Sequence, residues 1–126
     1  MIVGIGTDIV TVSRMAENLE RMGDRFARRL LTETEYKEYE KKHNGAAYLA
    51  KRFAAKEAAV KALGTGIGNG ISWQHVEVRN NDLGAPELHF SGEFAAMCKN
   101  RGITRSVVSI SDEQHYAVAT VILESE

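Results

Sequence analysis

Several charged residues stand where their neighbours argue against them. Asp8 interrupts the apolar segment MIVGIGTDIV, and Lys56 and Glu57 lie within RFAAKEAAVKALGTG, an alanine-rich stretch with the spacing of a core helix. At about 100° per residue, Leu49, Phe53, Val60 and Leu63 form one apolar stripe. Lys56 falls inside that stripe, Glu57 and Lys61 share one edge of it, and Arg52 lies at the other. A buried lysine or glutamate without a partner is strongly unfavourable, so ionic partners are expected here. Two plainer readings compete: Glu57 and Lys61 could form an ordinary surface pair four residues apart, and Lys56 could lay its stem on the stripe with its ammonium in water.

The same helix runs into LGTGIGNG. Gly64, Gly66, Gly68 and Gly70 allow backbone amides to turn inward against a ligand, an arrangement common around phosphate. The loop is not a nucleotide-binding G-x-x-x-x-G-K-[ST] motif, and neither it nor GIGTDI completes G-x-G-x-x-G, which argues against a P-loop NTPase or a Rossmann enzyme. Asp8 is disfavoured in the middle of a strand, and Gly4 and Gly6 on its face leave room for something to approach. If Asp8 and Glu57 converge near a phosphate, like charges at 4 Å repel by about 4 kcal/mol per pair at an effective dielectric near 20. A divalent cation removes that conflict, and a site with few protein oxygens suits Mg²⁺.

The elements that must position these residues follow from periodicity. Ile2 to Val10 alternates as a strand, Ser13 to Met22 is helical, and Gly23 with Asp24 breaks the pattern before RFARRLL resumes it. Thr32 and Glu35 form a capping box that opens ETEYKEYEKKH, which Asn44 and Gly45 are expected to end. A long helix follows from about Ala46 to Leu63. QHVEVRN and PELHF read as strands around the turn signal NNDLG, Ser91 caps a helix to about Asn100, and SVVSIS and HYAVATVIL are the last two strands. The order predicts an α+β domain, with a mostly antiparallel sheet packed against one long helix.

Bulk properties narrow the class. At 126 residues, 44% hydrophobic and 26% charged, the chain is expected to fold as one domain, 1–126. Its formal net charge of -1 gives no global bias toward nucleic acid or membrane. The single cysteine, Cys98, excludes an internal disulfide and fits a reducing compartment. The N-terminal segment lacks a basic leader and is too short and polar to span a membrane, so the chain is read as cytoplasmic.

GIGTDIV with Asp8, RFAAKEAAVKALGTGI with Glu57 and Lys61, and the SVVSIS…HYAVATVIL ending together resemble the holo-acyl-carrier-protein synthases, the short class of 4'-phosphopantetheinyl transferases. The resemblance spans nearly the whole chain. It implies a Mg²⁺-dependent enzyme that moves the 4'-phosphopantetheine arm of coenzyme A to a serine of apo acyl carrier protein, in support of fatty acid biosynthesis, releasing adenosine 3',5'-bisphosphate. A homotrimer with sites between protomers is also implied. By resemblance, Asp8 and Glu57 are the metal carboxylates, Lys61 contacts the phosphates, and Glu57 helps take the serine proton. Arg52 and Lys56 match basic positions near the nucleotide end of coenzyme A, and Gly64, Thr65 and Gly66 match the loop beside its pyrophosphate and pantetheine. One departure is Asp112, where many members have histidine, with His115 three positions on.

A surface for the carrier is suggested by Ser13 to Leu31, which holds five arginines and no lysine. Arg14, Arg21, Arg25 and Arg28 would share a face if the helix were continuous. Guanidinium forks suit the carboxylates of an acidic carrier, with Met15, Met22 and Phe26 as apolar contacts. A nucleic-acid-binding module could use the same arginines, but it leaves Asp8 and Glu57 without a purpose, and 7% aromatic residues give no stacking face. A purely structural trimer would show no metal effect.

Overall fold

The computed structural model describes residues 1–126. In chain order the elements are β1 (Ile2–Thr11), α1 (Val12–Met22), α2 (Asp24–Leu30), α3 (Glu33–Glu40), α4 (Gly45–Leu63), a 3₁₀ turn (Trp73–His75), β2 (Val76–Asn80), β3 (Pro86–Phe90), α5 (Gly92–Asn100), β4 (Ile103–Asp112) and β5 (Tyr116–Ser125). All strand pairs are antiparallel, in two sheets: β1-β5-β4 and the hairpin β2-β3. The α+β class expected from sequence is the observed one, although its single sheet is divided.

Helix α4 is the axis of the core. Ala50, Ala54, Ala55, Ala58, Ala59 and Ala62 are all buried, and small side chains let its backbone lie directly on the three-stranded sheet. The closest approach is at β1. A Cβ on Gly6 would lie 2.6 Å from the Ala62 nitrogen and collide with the Ala58 carbonyl, and one on Gly4 would collide with the Ala62 carbonyl. Those glycines therefore admit the helix rather than a ligand, a correction to the sequence reading. Because Gly4 meets Ala62 and Gly6 meets Ala58, strand and helix run in opposite directions. The next inward residue, Asp8, is thereby carried along α4 toward Glu57.

Two boundaries differ from expectation: α3 ends early, and Gln74 and His75 of QHVEVRN lie in the 3₁₀ turn, so that strand starts only at Val76. Asn44 does not end α3, which stops at Glu40; its side chain accepts from the Ala47 backbone N–H at 3.0 Å and so caps the start of α4. Gly23, at φ 65° and ψ -149°, separates α1 from α2 as the sequence indicates, so the helix is not continuous and the arginines do not share one face. The outer face of the larger sheet is unusually apolar. Ile5, Ile122 and Val107 stand side by side across β1, β5 and β4, and Ile5 and Ile9 are 64% and 65% exposed.

Candidate active site

The edge of α4 that faces β1 carries the open charges. Lys61 Nζ donates to Asp8 Oδ1 at 2.9 Å and to the Thr7 carbonyl at 3.1 Å. Glu57 sits one turn earlier on the same edge, and its Oε2 accepts from the Trp73 indole N–H at 2.8 Å. Lys61 is thus paired across to the strand rather than along the helix, and the simple surface pair with Glu57 does not form. Strand and helix together bring Asp8, Glu57 and Lys61 to one exposed edge. No group of three or more His, Cys, Asp or Glu side chains converges anywhere in the chain. Two carboxylates, half-buried and all-oxygen, match the chemistry of Mg²⁺, which takes its other ligands from water and substrate phosphate.

Lys56, one residue before Glu57, has the opposite fate. It is fully buried and donates to Glu35 Oε1 at 2.7 Å and to the Trp73 carbonyl at 3.1 Å. Burial pushes its ammonium below the ordinary lysine value, while Glu35 opposes that shift. The expected ionic partner exists and the ammonium does not reach water, which places Lys56 as a cation of the fold's interior rather than on an open surface facing coenzyme A. Glu35 also accepts from the backbone N–H groups of Thr32, at 2.9 Å, and Val78, at 2.8 Å, which ties α3, α4 and β2 together.

Arg52 continues this cluster to the surface. Its Nη2 lies 3.5 Å from Glu38, its guanidinium stacks 4.6 Å from the Tyr48 ring, and its buried Nε has no acceptor. It lines a cleft of about 260 Å³ with Lys42, His43, Asn44 and Lys51. Lys51 Nζ stands 4.0 Å from Asp112 at the end of β4, so the departure from histidine is met by a cation on α4.

At the other end of α4, Gly64 caps the helix at φ 86°, and Gly66, Gly68 and Gly70 also have positive φ. That left-handed backbone, rather than crowding, explains the glycines at 64, 66 and 68, where a Cβ would meet nothing within 4 Å. Thr65 Oγ1 donates to the Gly66 carbonyl at 3.1 Å. The loop remains exposed at Gly64 and Gly66, continuous with the edge that holds Lys61.

The arginine arm forms a groove of about 470 Å³ whose walls include Arg14, Arg21, Arg29, Met22, Phe26 and Trp73. Arg25 and Arg28 lie outside it, since the break at Gly23 turns α2. Arg28 instead donates to Asp24 at 2.7 Å and covers the Tyr36 ring. Met15 is a core residue, 1% exposed, and forms only the floor of the groove. Sequence reasoning counted Arg29 in the arm without placing it on the shared face, read Glu35 only as a cap, and missed Trp73. Trp73 carried a signal too, as the single tryptophan directly after the glycine loop.

A family model described as the 4'-phosphopantetheinyl transferase superfamily matches residues 4–121. The holo-[acyl-carrier-protein] synthase of Alteromonas mediterranea is 70% identical over 124 residues, 98% of each chain. The crystal structure of holo-[acyl-carrier-protein] synthase from Neisseria meningitidis superposes with a TM-score of 0.94 at 40% identity, covering 99% of this chain and 100% of that one. The Bacillus anthracis synthase in complex with coenzyme A (3',5'-ADP) superposes at 0.81 with 43% identity, covering 100% and 99%.

Proposed function

The chain belongs to the 4'-phosphopantetheinyl transferase superfamily, among the holo-[acyl-carrier-protein] synthases, and on that premise we propose how its residues divide the reaction. The reaction moves 4'-phosphopantetheine from coenzyme A to a serine hydroxyl of an apo acyl carrier protein. A phosphorus–oxygen bond forms to the serine, the bond to the other phosphate of the pyrophosphate breaks, and adenosine 3',5'-bisphosphate departs.

The observation that carries the assignment is the exposed edge of α4, with Lys61 bonded to Asp8 and Glu57 one turn away. Asp8 and Glu57 would hold Mg²⁺, which when bound offsets the charge of the pyrophosphate. Glu57 accepts the proton of the attacking serine through Oε1, since Oε2 is engaged by Trp73. Lys61, 53% exposed on its side chain, can leave Asp8 to meet charge growing on the departing phosphate. Gly64, Thr65 and Gly66 receive the pyrophosphate and pantetheine, and the cleft of Arg52, Lys42 and Lys51 takes the nucleotide end. Lys56 contributes from inside the fold, holding α4 against Glu35 and the Trp73 backbone.

The carrier docks on the arm of Arg14, Arg21, Arg25 and Arg28, with Arg14 and Arg21 in the groove beside Met22 and Phe26. Three copies associate through the outer sheet face of Ile5, Ile9, Val107 and Ile122, placing sites between protomers. Residues 1–126 form a single domain that works in the cytoplasm, serving fatty acid synthesis; no helix is long and apolar enough to cross a membrane. Incubation with coenzyme A, Mg²⁺ and an apo acyl carrier protein, followed by intact mass of the carrier, tests the reading. A gain of one phosphopantetheine is expected, and an unchanged carrier mass would overturn it.

A further inference from the structure

Trp73 is held at three points by α4 and what packs on it. Its carbonyl accepts from buried Lys56 at 3.1 Å, its ring lies 5.9 Å from Phe53, and its indole N–H donates to Glu57 Oε2 at 2.8 Å. Lys56 is itself fixed by Glu35, so the backbone of Trp73 is anchored to the most buried ionic cluster of the fold. An anchored indole can orient what it bonds.

Glu57 needs orienting. A glutamate has three rotatable side-chain bonds, and Lys61 lies four residues on, the spacing at which a glutamate ordinarily swings to pair with lysine. Such a swing would turn the carboxylate along the helix and spend its charge on an ammonium. The indole N–H prevents it in a particular way, because it is a donor only and carries no charge. It fixes one carboxylate oxygen while leaving the full negative charge available to a cation. A lysine or arginine in its place would fix the oxygen and neutralise it.

We propose that Trp73 is a positioning residue for the transfer, holding Glu57 Oε2 through its indole N–H so that Oε1 faces the metal and the incoming serine. The proposal rests on the reading of Glu57 as the reaction's metal carboxylate and proton acceptor. Trp73 also forms a wall of the arginine-lined groove, so the residue that aligns Glu57 borders the surface where the carrier would sit.

Trp73 is the only tryptophan in the chain, so growing a tryptophan auxotroph on benzothienylalanine replaces the N–H by sulfur at this position alone. Trp73→Phe serves as the second variant. Calorimetric titration with Mg²⁺ in the presence of coenzyme A, without carrier, reads the positioning directly. Loss of a partner that orients a metal ligand weakens metal affinity by about tenfold to a hundredfold, and a weakening in that range is expected for both variants. In turnover, kcat should fall while the carrier KM stays within about twofold, because the apolar wall of the groove is retained. A wild-type Mg²⁺ affinity and kcat in the folded benzothienyl protein would overturn the proposal even if Trp73→Phe fails to fold. Wild-type protein that neither binds Mg²⁺ with coenzyme A nor modifies the carrier would instead remove the reading of Glu57, and the proposal with it.

Discussion

Lys56 and Glu57 are neighbours in sequence, yet one belongs to a closed ionic cluster and the other to an open one. In the closed cluster both oxygens of Glu35 are used, Oε1 by Lys56 and Thr32 and Oε2 by Val78, with Arg52 3.9 Å away. In the open one, Lys61 bonds Asp8 Oδ1 and Trp73 bonds Glu57 Oε2, which leaves the second oxygen of each carboxylate free of protein donors. Saturated charge stabilises a fold; charge with unused valence at an exposed edge can bind and react. The same residue types thus do different work one residue apart, because a helix turns about 100° between them.

The largest effect should come from the closed side. Glu35→Ala leaves Lys56 buried without its carboxylate, and breaking a buried pair by removing one partner costs about 3–5 kcal/mol. Thermal or denaturant unfolding should show that loss, and kcat of the molecules that remain folded at low temperature should fall only as far as Trp73 loosens when Lys56 loses its carboxylate. Adding Lys56→Met to Glu35→Ala should recover part of the stability, since the uncompensated ammonium is then gone. A stable Glu35→Ala protein would break the distinction between the two clusters.

The reciprocal prediction concerns the open side. Asp8→Asn and Glu57→Gln keep shape and remove charge. Each should lower turnover by about 10²–10³-fold, the range for loss of one preorganised electrostatic partner. The stability loss should stay at about 1 kcal/mol, well below that of Glu35→Ala, because each change weakens one partly exposed bond and strands no buried charge. Near-normal turnover in both, measured across a Mg²⁺ series, would discard the metal assignment.

How much of this was legible beforehand follows the same division. The need of Lys56 for an ionic partner could be read from its place in the apolar stripe. Its partner could not, because Glu35 was already accounted for as the acidic member of a capping box, and one carboxylate serves both roles. Gly4 and Gly6 looked like room for a ligand because periodicity marks a bare face without saying what covers it; the helix backbone does. Asn44 suits either end of a helix, and only the Ala47 bond decides that it starts α4. The order and type of the helices and strands were readable, since strong periodicity and glycine breaks govern them, but the 3₁₀ turn at Trp73–His75 was not, because three residues show no period. The separation into two sheets depends on which strands pair across the chain, which no local pattern encodes.

A smaller effect lies on the rim of the open side. Arg14→Glu and Arg21→Glu reverse charge in the groove without touching the carboxylates, so the carrier KM should rise by about tenfold while kcat stays nearly constant. The salt dependence of KM should weaken in parallel. Arg28→Glu should do less, because Arg28 is occupied by Asp24 and Tyr36 outside the groove. Equal effects from Arg21 and Arg28 would show that the carrier reads the whole arm rather than the groove.

The smallest effect sharpens the comparison from the closed side. Tyr48 donates its hydroxyl to the Glu35 carbonyl at 3.1 Å, and burial pushes its phenol up to about 12 from an ordinary 10.0. Between those values the folded protein keeps a proton that the unfolded chain has released, so stability is fully present below pH 10 and declines as pH rises toward 12. Phenolate absorbance during an alkaline titration should show Tyr48 ionising at about 12. In Glu57→Gln that late step should be unmoved, because the open edge is not wired to Tyr48. In Glu35→Ala it should fall toward the ordinary value as α3 loosens and water reaches the hydroxyl. A Tyr48 step that responds to Glu57→Gln as strongly as to Glu35→Ala would mean that the two clusters are electrostatically one.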